Sequence, residues 1–131
     1  MGYTHYWKTK RAFTEKEWKE FTDGTKKIIK KSNVSICGGS GEGMPIIDDV
    51  KVSINGSRAE GDDYETFYVT KEPQDFEFCK TARCPYDKVA VACLLLMEKI
   101  LGSDCEVSSD GDMYGEDWAN GRELFKKAIK R

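Results

Sequence analysis

The most apolar segment of the chain, residues 85–101, limits the fold more than any other part. Apolar side chains occupy nearly every position around its helical turns: Val89, Ala90, Val91, Ala92, Leu94, Leu95, Leu96 and Met97. A helix that is apolar all round is packed on more than one side. Its longest apolar run, residues 89–97, is too short to span a bilayer. The segment therefore predicts a central helix that Gly102 ends, with no membrane span.

The remaining patterns predict short strands and two amphipathic helices. Thr14 and Glu17 form a capping-box signature, and Phe13 and Trp18 stand at hydrophobic-staple positions, so the first helix begins there. Strands are predicted at residues 3–7, 34–37, 46–54, 64–70 with 76–78, and 105–108, with a turn at Asn55-Gly56. A last helix follows residue 112 and ends in Lys126, Lys127, Lys130 and Arg131. The order β-α-β-β-β-α-β-α predicts a single α+β domain over residues 1–131, a mostly antiparallel sheet packed against about three helices.

Charge and cysteine usage exclude some classes of function. The formal net charge is −2 and the isoelectric point about 5.5, which argues against bulk nucleic-acid binding. The five cysteines are an odd number, and the first residues lack a signal-peptide pattern, so free thiols in a reducing cytoplasm are expected. Cys79 and Cys84 do not have zinc-finger spacing. No metal site and no cofactor are therefore expected.

A cationic segment directly before the central helix is the first candidate site. Lys80, Thr81 and Arg83 precede Pro85, which we place just inside the helix, and Tyr86 follows it. The N–H groups and the positive dipole end of a helix favour an anion, and an arginine can hold a phosphate or carboxylate through two parallel hydrogen bonds. The alternative is a structural ion pair with Asp87, Glu65 or Asp110.

A glycine-rich loop after a predicted strand is the second candidate. Gly38, Gly39 and Ser40 open the loop 38–43, whose backbone N–H groups could approach a phosphate. The loop lacks the ending of a P-loop and leads into another strand instead of a helix. A flexible connector is an equal alternative.

The aromatic first strand is the third candidate. Alternation places His5 and Trp7 on one face and Tyr6 on the other. Either Tyr6 or Trp7 could stack on a base while the other packs in the core. His5, Glu65 and Asp110 would then hydrogen-bond to the ribose or to base edges.

Several segments together resemble a group of small, poorly characterised proteins of tailed phages. They are the GYTHYW start, Ile36-Cys37-Gly38, Glu65-Thr66-Phe67, the FCKTAR segment with Pro85-Tyr86-Asp87, and Ser109-Asp110-Gly111. The resemblance implies a protein of the host-cell cytoplasm that acts on host defence, for instance by sequestering a nucleotide signal.

Three functions follow from these features. The first is a non-enzymatic binding protein for a small anionic, nucleotide-derived ligand, with homo-oligomerisation suiting a pocket at an interface. The second is an enzyme acting on a nucleotide or ADP-ribose-like substrate, with His5 and Cys37 or Cys79 oriented by an acidic residue. The third is an inhibitor that binds a host protein through the acidic pairs 48–49 or 62–63.

Overall fold

Local sequence signals place the first strand and the first helix. The computed structural model describes residues 3–129, and β1 spans Thr4–Thr9 while α1 spans Glu15–Ser32. The Thr14 side chain accepts a hydrogen bond from the Glu17 N–H, and the Glu17 carboxylate accepts one from the Thr14 N–H, so the predicted capping box is confirmed. The Phe13 and Trp18 rings meet with their centroids 5.0 Å apart, which confirms the staple. These contacts fix where α1 begins.

The structure contains more strands than the sequence predicted. The remaining elements are β2 (Ile36–Cys37), β3 (Ile46–Ile47), β4 (Lys51–Gly56), β5 (Phe67–Thr70), β6 (Glu77–Lys80), α2 (Asp87–Leu101), β7 (Cys105–Ser109) and α3 (Ala119–Ile129). Residues 46–54 form two strands because the Asp48 carboxylate accepts hydrogen bonds from the N–H groups of Val50 and Lys51 and turns the chain. The α+β class is confirmed, and the predicted helix end at Lys130 and Arg131 lies outside the described residues.

The strands form two antiparallel sheets. One sheet has the order β6-β1-β7, and in the other β4 pairs with β2, β3 and β5. The predicted Asn55-Gly56 turn is wrong, because both residues continue β4 opposite Cys37 and Ile36. The Asn55 side chain hydrogen-bonds to Gly39, Gly56 and Tyr64, so it satisfies the backbone of neighbouring segments instead of closing a hairpin.

Helix α2 is the centre of the fold, as its composition predicted. It packs against α1, α3 and β7, and nine of its side chains are buried. On α3, Gly121 lies so close to α2 that an added Cβ would meet Val91 Cγ1 at 2.2 Å. Within residues 3–129, no helix combines the length and apolarity needed to cross a membrane. Helix α2 packs against the β6-β1-β7 sheet at β7, and the side of this sheet that faces away from the core carries exposed side chains.

Candidate functional site

The exposed side of the β6-β1-β7 sheet is the most distinctive surface of the protein. Along β1, His5 and Trp7 are 0% and 1% exposed, whereas Tyr6 is half-buried and Lys8 is exposed. Side chains alternate between the two sides of a strand. Tyr6 and Lys8 therefore point away from the core, and so do the residues that register places beside them.

Strand register arranges these outward side chains in three rows. Lys80 lies opposite Thr4, Phe78 opposite Tyr6, Tyr6 opposite Ser108, and Lys8 opposite Glu106. Thr4 also exchanges hydrogen bonds with Asp110. The rows are Lys80–Thr4–Asp110, Phe78–Tyr6–Ser108 and Lys8–Glu106. Phe76 directly precedes β6 in a bend, and its ring stacks on that of Tyr6.

Three aromatic rings on this surface contact one another, and we call Tyr6, Phe76 and Phe78 the aromatic platform. The Tyr6 and Phe76 rings are stacked with centroids 6.0 Å apart, and the Phe76 and Phe78 rings are tilted at 6.1 Å. Phe76 and Phe78 remain 61% and 52% exposed. Neighbouring apolar rings left in water on an open sheet surface mark an interaction site more often than isolated ones do.

Polar groups orient the platform and flank it. The Tyr6 hydroxyl donates a 3.0 Å hydrogen bond to Asp110 Oδ1, and this bond raises the pKa of Tyr6. The Lys80 ammonium lies 6.0 Å from the centroid of the Tyr64 ring. Neither Lys80 nor Lys8 forms a salt bridge with another residue of the range 3–129. The two lysines thus keep their charge available beside exposed rings.

The opposite side of the same sheet holds a buried hydrogen-bond chain centred on His5. Its Nδ1 lies 2.8 Å from Ser109 Oγ, and its Nε2 lies 2.7 Å from Asp87 Oδ1. Ser109 Oγ already accepts hydrogen bonds from the Gly111 N–H and the Trp118 indole N–H, so its own O–H donates to His5 Nδ1. We therefore assign Nε2 of His5 as the donor to Asp87.

This chain bears on one arrangement of the enzyme hypothesis, the pairing of His5 with a cysteine. Both ring nitrogens of His5 are occupied by Ser109 and Asp87, so neither Cys37 nor Cys79 uses His5 as a base. Thr81 joins the same chain because its hydroxyl donates to Asp87 Oδ1. The predicted site residues His5 and Thr81 thus connect β1 with the beginning of α2, away from the aromatic platform.

Arg83 belongs to a third location, separate from Lys80. Its guanidinium stacks on the ring of Tyr3, 3.9 Å from the centroid, and donates a 3.0 Å hydrogen bond to Asp117. The Tyr3 ring lies with His5 on the inward side of the sheet, whereas Lys80 lies in an outward row. Arg83 and Lys80 are therefore on opposite sides of the sheet. The partner of Arg83 is Asp117, which the sequence analysis did not consider.

The segment before α2 differs from the predicted anion site. Pro85 precedes the N-cap Tyr86 instead of lying inside the helix, and the N–H groups of Asp87 and Val89 already donate to backbone carbonyls. The cleft beside it has a volume of about 700 Å³, and its charged lining residues are Arg83, Asp87, Lys88, Glu116 and Asp117. Three carboxylates thus line this cleft with two cations, and one of these cations, Arg83, is already paired with Asp117.

The other predicted residues divide between the core and the second sheet. Trp7 is buried and donates from Nε1 to Gln74, so its ring has no face for a base. Tyr86 is 0% exposed, and its hydroxyl donates to the carbonyl of Glu65. The Glu65 carboxylate accepts from the Lys80 N–H at the edge of the platform.

The glycine loop packs on the second sheet. The carbonyl of Gly39 accepts hydrogen bonds from Asn55 and Thr66, and an added Cβ at Gly39 would meet Ser53 Oγ at 2.6 Å. The Gly38 N–H is occupied within the loop itself. Gly39 thus contacts β4, Gly38 is held within the loop, and Ser40 is exposed, so the loop packs on the second sheet and is separate from the platform.

Of the predicted residues, Tyr6, Lys80 and Asp110 come together on the outward rows, with Glu65 at their edge. The sequence analysis missed Phe76, Phe78 and Lys8. A signal existed, because alternation along residues 4–8 and 76–80 marks these positions as outward once the two strands are paired.

The function of this protein is inferred from its fold and from these contacts. No protein-family model, no curated protein and no solved structure matches this chain. Across residues 3–129, no group of three or more histidine, cysteine or acidic side chains is arranged to hold a metal ion.

Proposed function

We propose that this protein binds a small anionic, nucleotide-derived ligand on the aromatic platform and does not convert it. The observation that carries the proposal is the cluster of Tyr6, Phe76 and Phe78 rings on an open sheet surface, in which Phe76 contacts both other rings and both phenyl rings are more than half exposed. Stacking of a base on such a ring contributes about 1–3 kcal/mol and is tolerant of base identity. Lys8 and Lys80 supply the positive charge that a phosphate requires.

The state of the reactive side chains favours binding over catalysis. The single histidine, His5, is buried with both nitrogens occupied. Burial raises the pKa of the Cys79 thiol to about 12, so Cys79 is not a thiolate near neutrality. A protein that holds its ligand unchanged withdraws it from solution. The resemblance to tailed-phage proteins extends the proposal to sequestration of a host immune signal.

The proposal is tested by calorimetric titration with the four ribonucleoside monophosphates. The double variant Phe76→Ala, Phe78→Ala removes both exposed phenyl rings and is expected to lower affinity at least tenfold. The matched control is Tyr114→Ala, which removes an aromatic ring that is 90% exposed elsewhere.

A second pair of variants tests the charges. Lys8→Gln with Lys80→Gln is expected to weaken binding and reduce its salt dependence, because the phosphate contact that either lysine makes is lost. The control, Lys99→Gln with Lys126→Gln, changes the net charge equally at exposed positions away from the sheet. Equal affinities of the platform variants and their controls would contradict the proposal.

Turnover is measured on the same samples. Protein incubated with a lysate containing defence nucleotides is denatured, and the released small molecules are identified by mass spectrometry. Recovery of an intact nucleotide supports binding without conversion, whereas accumulation of a product would favour the enzyme hypothesis.

A further inference from the structure

We infer that the ligand of the aromatic platform is a free dinucleotide, which places one base on each exposed phenyl ring. This inference rests on the proposed function and specifies its ligand. The platform offers two separate stacking surfaces, because Phe76 and Phe78 are each more than half exposed and their planes are inclined by 49°. Their centroids are 6.1 Å apart, wider than the ~3.4 Å rise between stacked bases of one strand. A ligand with one base on each ring would therefore hold its two bases splayed apart instead of stacked on each other.

The positions of Lys8 and Lys80 suit a ligand with two phosphates. Lys80 occupies the first outward row and Lys8 the third, with Phe78 and Tyr6 in the row between them. Four residue rises of about 3.4 Å and one strand spacing of about 4.8 Å put their Cα atoms about 14 Å apart. One phosphate cannot meet both ammonium groups across that span without drawing the two side chains together over the rings. Two phosphates in a ligand that lies across the rows, parallel to the strands, can each meet one of them.

The acidic side chains on β7 determine how the ligand is oriented on the sheet. Asp110 and Glu106 end the first and third rows on β7, and both are exposed. Glu106 is paired with Lys10 at 3.1 Å, so the Asp110 carboxylate is the charge that repels phosphates from β7, and the sugar–phosphate backbone lies over β6 and β1. Hydroxyl or amino groups of the ligand then face Asp110 and Ser108, which accept hydrogen bonds.

The test compares AMP with the 5′-phosphorylated dinucleotide pApA on the whole protein, by calorimetric titration. We expect one pApA or two AMP molecules per chain, and an affinity for pApA at least tenfold above that for AMP. The single variants Phe76→Ala and Phe78→Ala are each expected to lower the affinity for pApA at least fivefold. Each single variant is expected to bind one AMP molecule at the remaining ring, with an affinity for AMP that changes less than twofold.

Three outcomes would overturn the inference, and they are distinguishable. One AMP per chain with an affinity equal to that of pApA would leave the proposed function intact but exclude a dinucleotide. Much tighter binding of a ten-residue oligodeoxyadenylate than of pApA would make a nucleic-acid strand the ligand. Absence of binding by pApA and by all four mononucleotides would overturn both the inference and the proposed function.

Discussion

Replacement of Ser109 by alanine tests the buried hydrogen-bond chain most directly. The Ser109 hydroxyl donates to His5 Nδ1 and accepts from the Gly111 N–H and the Trp118 indole N–H. Each hydrogen bond contributes about 1 kcal/mol net, and a buried polar group left without a partner costs about 1–3 kcal/mol. Gly111 is partly exposed and can bind water instead, whereas His5 and Trp118 are 0% exposed. We therefore expect Ser109→Ala to lower the free energy of unfolding by about 2–3 kcal/mol, a large part of the 5–15 kcal/mol typical of a domain.

The adjoining residue gives a matched control. Ser108 points outward from the same strand and is exposed, so Ser108→Ala should change stability by less than about 0.5 kcal/mol. Urea unfolding followed by tryptophan fluorescence measures both variants. If Ser109→Ala costs no more than Ser108→Ala, the chain through His5 does not stabilise the fold and the assignment of Nε2 as the donor loses its basis.

Three further predictions concern stability and reactivity. Ala82→Gly should raise the free energy of unfolding by about 1 kcal/mol, since Ala82 has φ 51° in a turn that glycine adopts without strain; an unchanged urea midpoint would contradict this. Hydrogen bonds from Arg11 and the Thr14 N–H lower the pKa of Glu17 from 4.5 to about 2, so its stabilising effect is present above pH 4.5 and is lost as the pH falls toward 2. Because the Glu17 carboxylate is partly exposed, we expect it to contribute about 1 kcal/mol to the free energy of unfolding. The stability difference between wild type and Glu17→Gln should vanish near pH 2 in denaturation curves. Burial raises the pKa of three thiols to about 12, so a disulfide-exchange reagent at pH 8 should label at most two of the five thiols in the native protein and all five in denaturant. The protected three are Cys79, Cys93 and Cys105, and rapid labelling of any of them would contradict this prediction.

Elements with short-range causes were predictable from the sequence. The beginning of α1 depends on Thr14 and Glu17, three residues apart, and the central place of α2 follows from its own composition. Asn55-Gly56 shows where such reasoning fails. The pair is typical of a hairpin turn, but the Asn55 side chain finds partners in Gly39 and Tyr64, and these long-range hydrogen bonds favour an extended strand.

The candidate site was predictable only in part. Tyr6, Lys80 and Asp110 were selected as residue types that suit a nucleotide, and pairing of β1 with β6 and β7 places them on one surface. Lys80 and Arg83 were expected to act together because they are close in sequence. A sharp turn between them, with both Ala82 and Arg83 in the left-handed region, directs Arg83 to Tyr3 and Asp117 instead.

The sequence by itself determined the α+β class, the capped first helix, the buried second helix and the alternation of β1, because each depends on residues within a few turns or a few strand positions. Only the tertiary structure decided the partners of His5, which lie 82 and 104 positions away, and the assembly of Phe76 and Phe78 beside Tyr6. Strand pairing and register create these contacts, and register depends on which face of each strand is buried against distant parts of the chain.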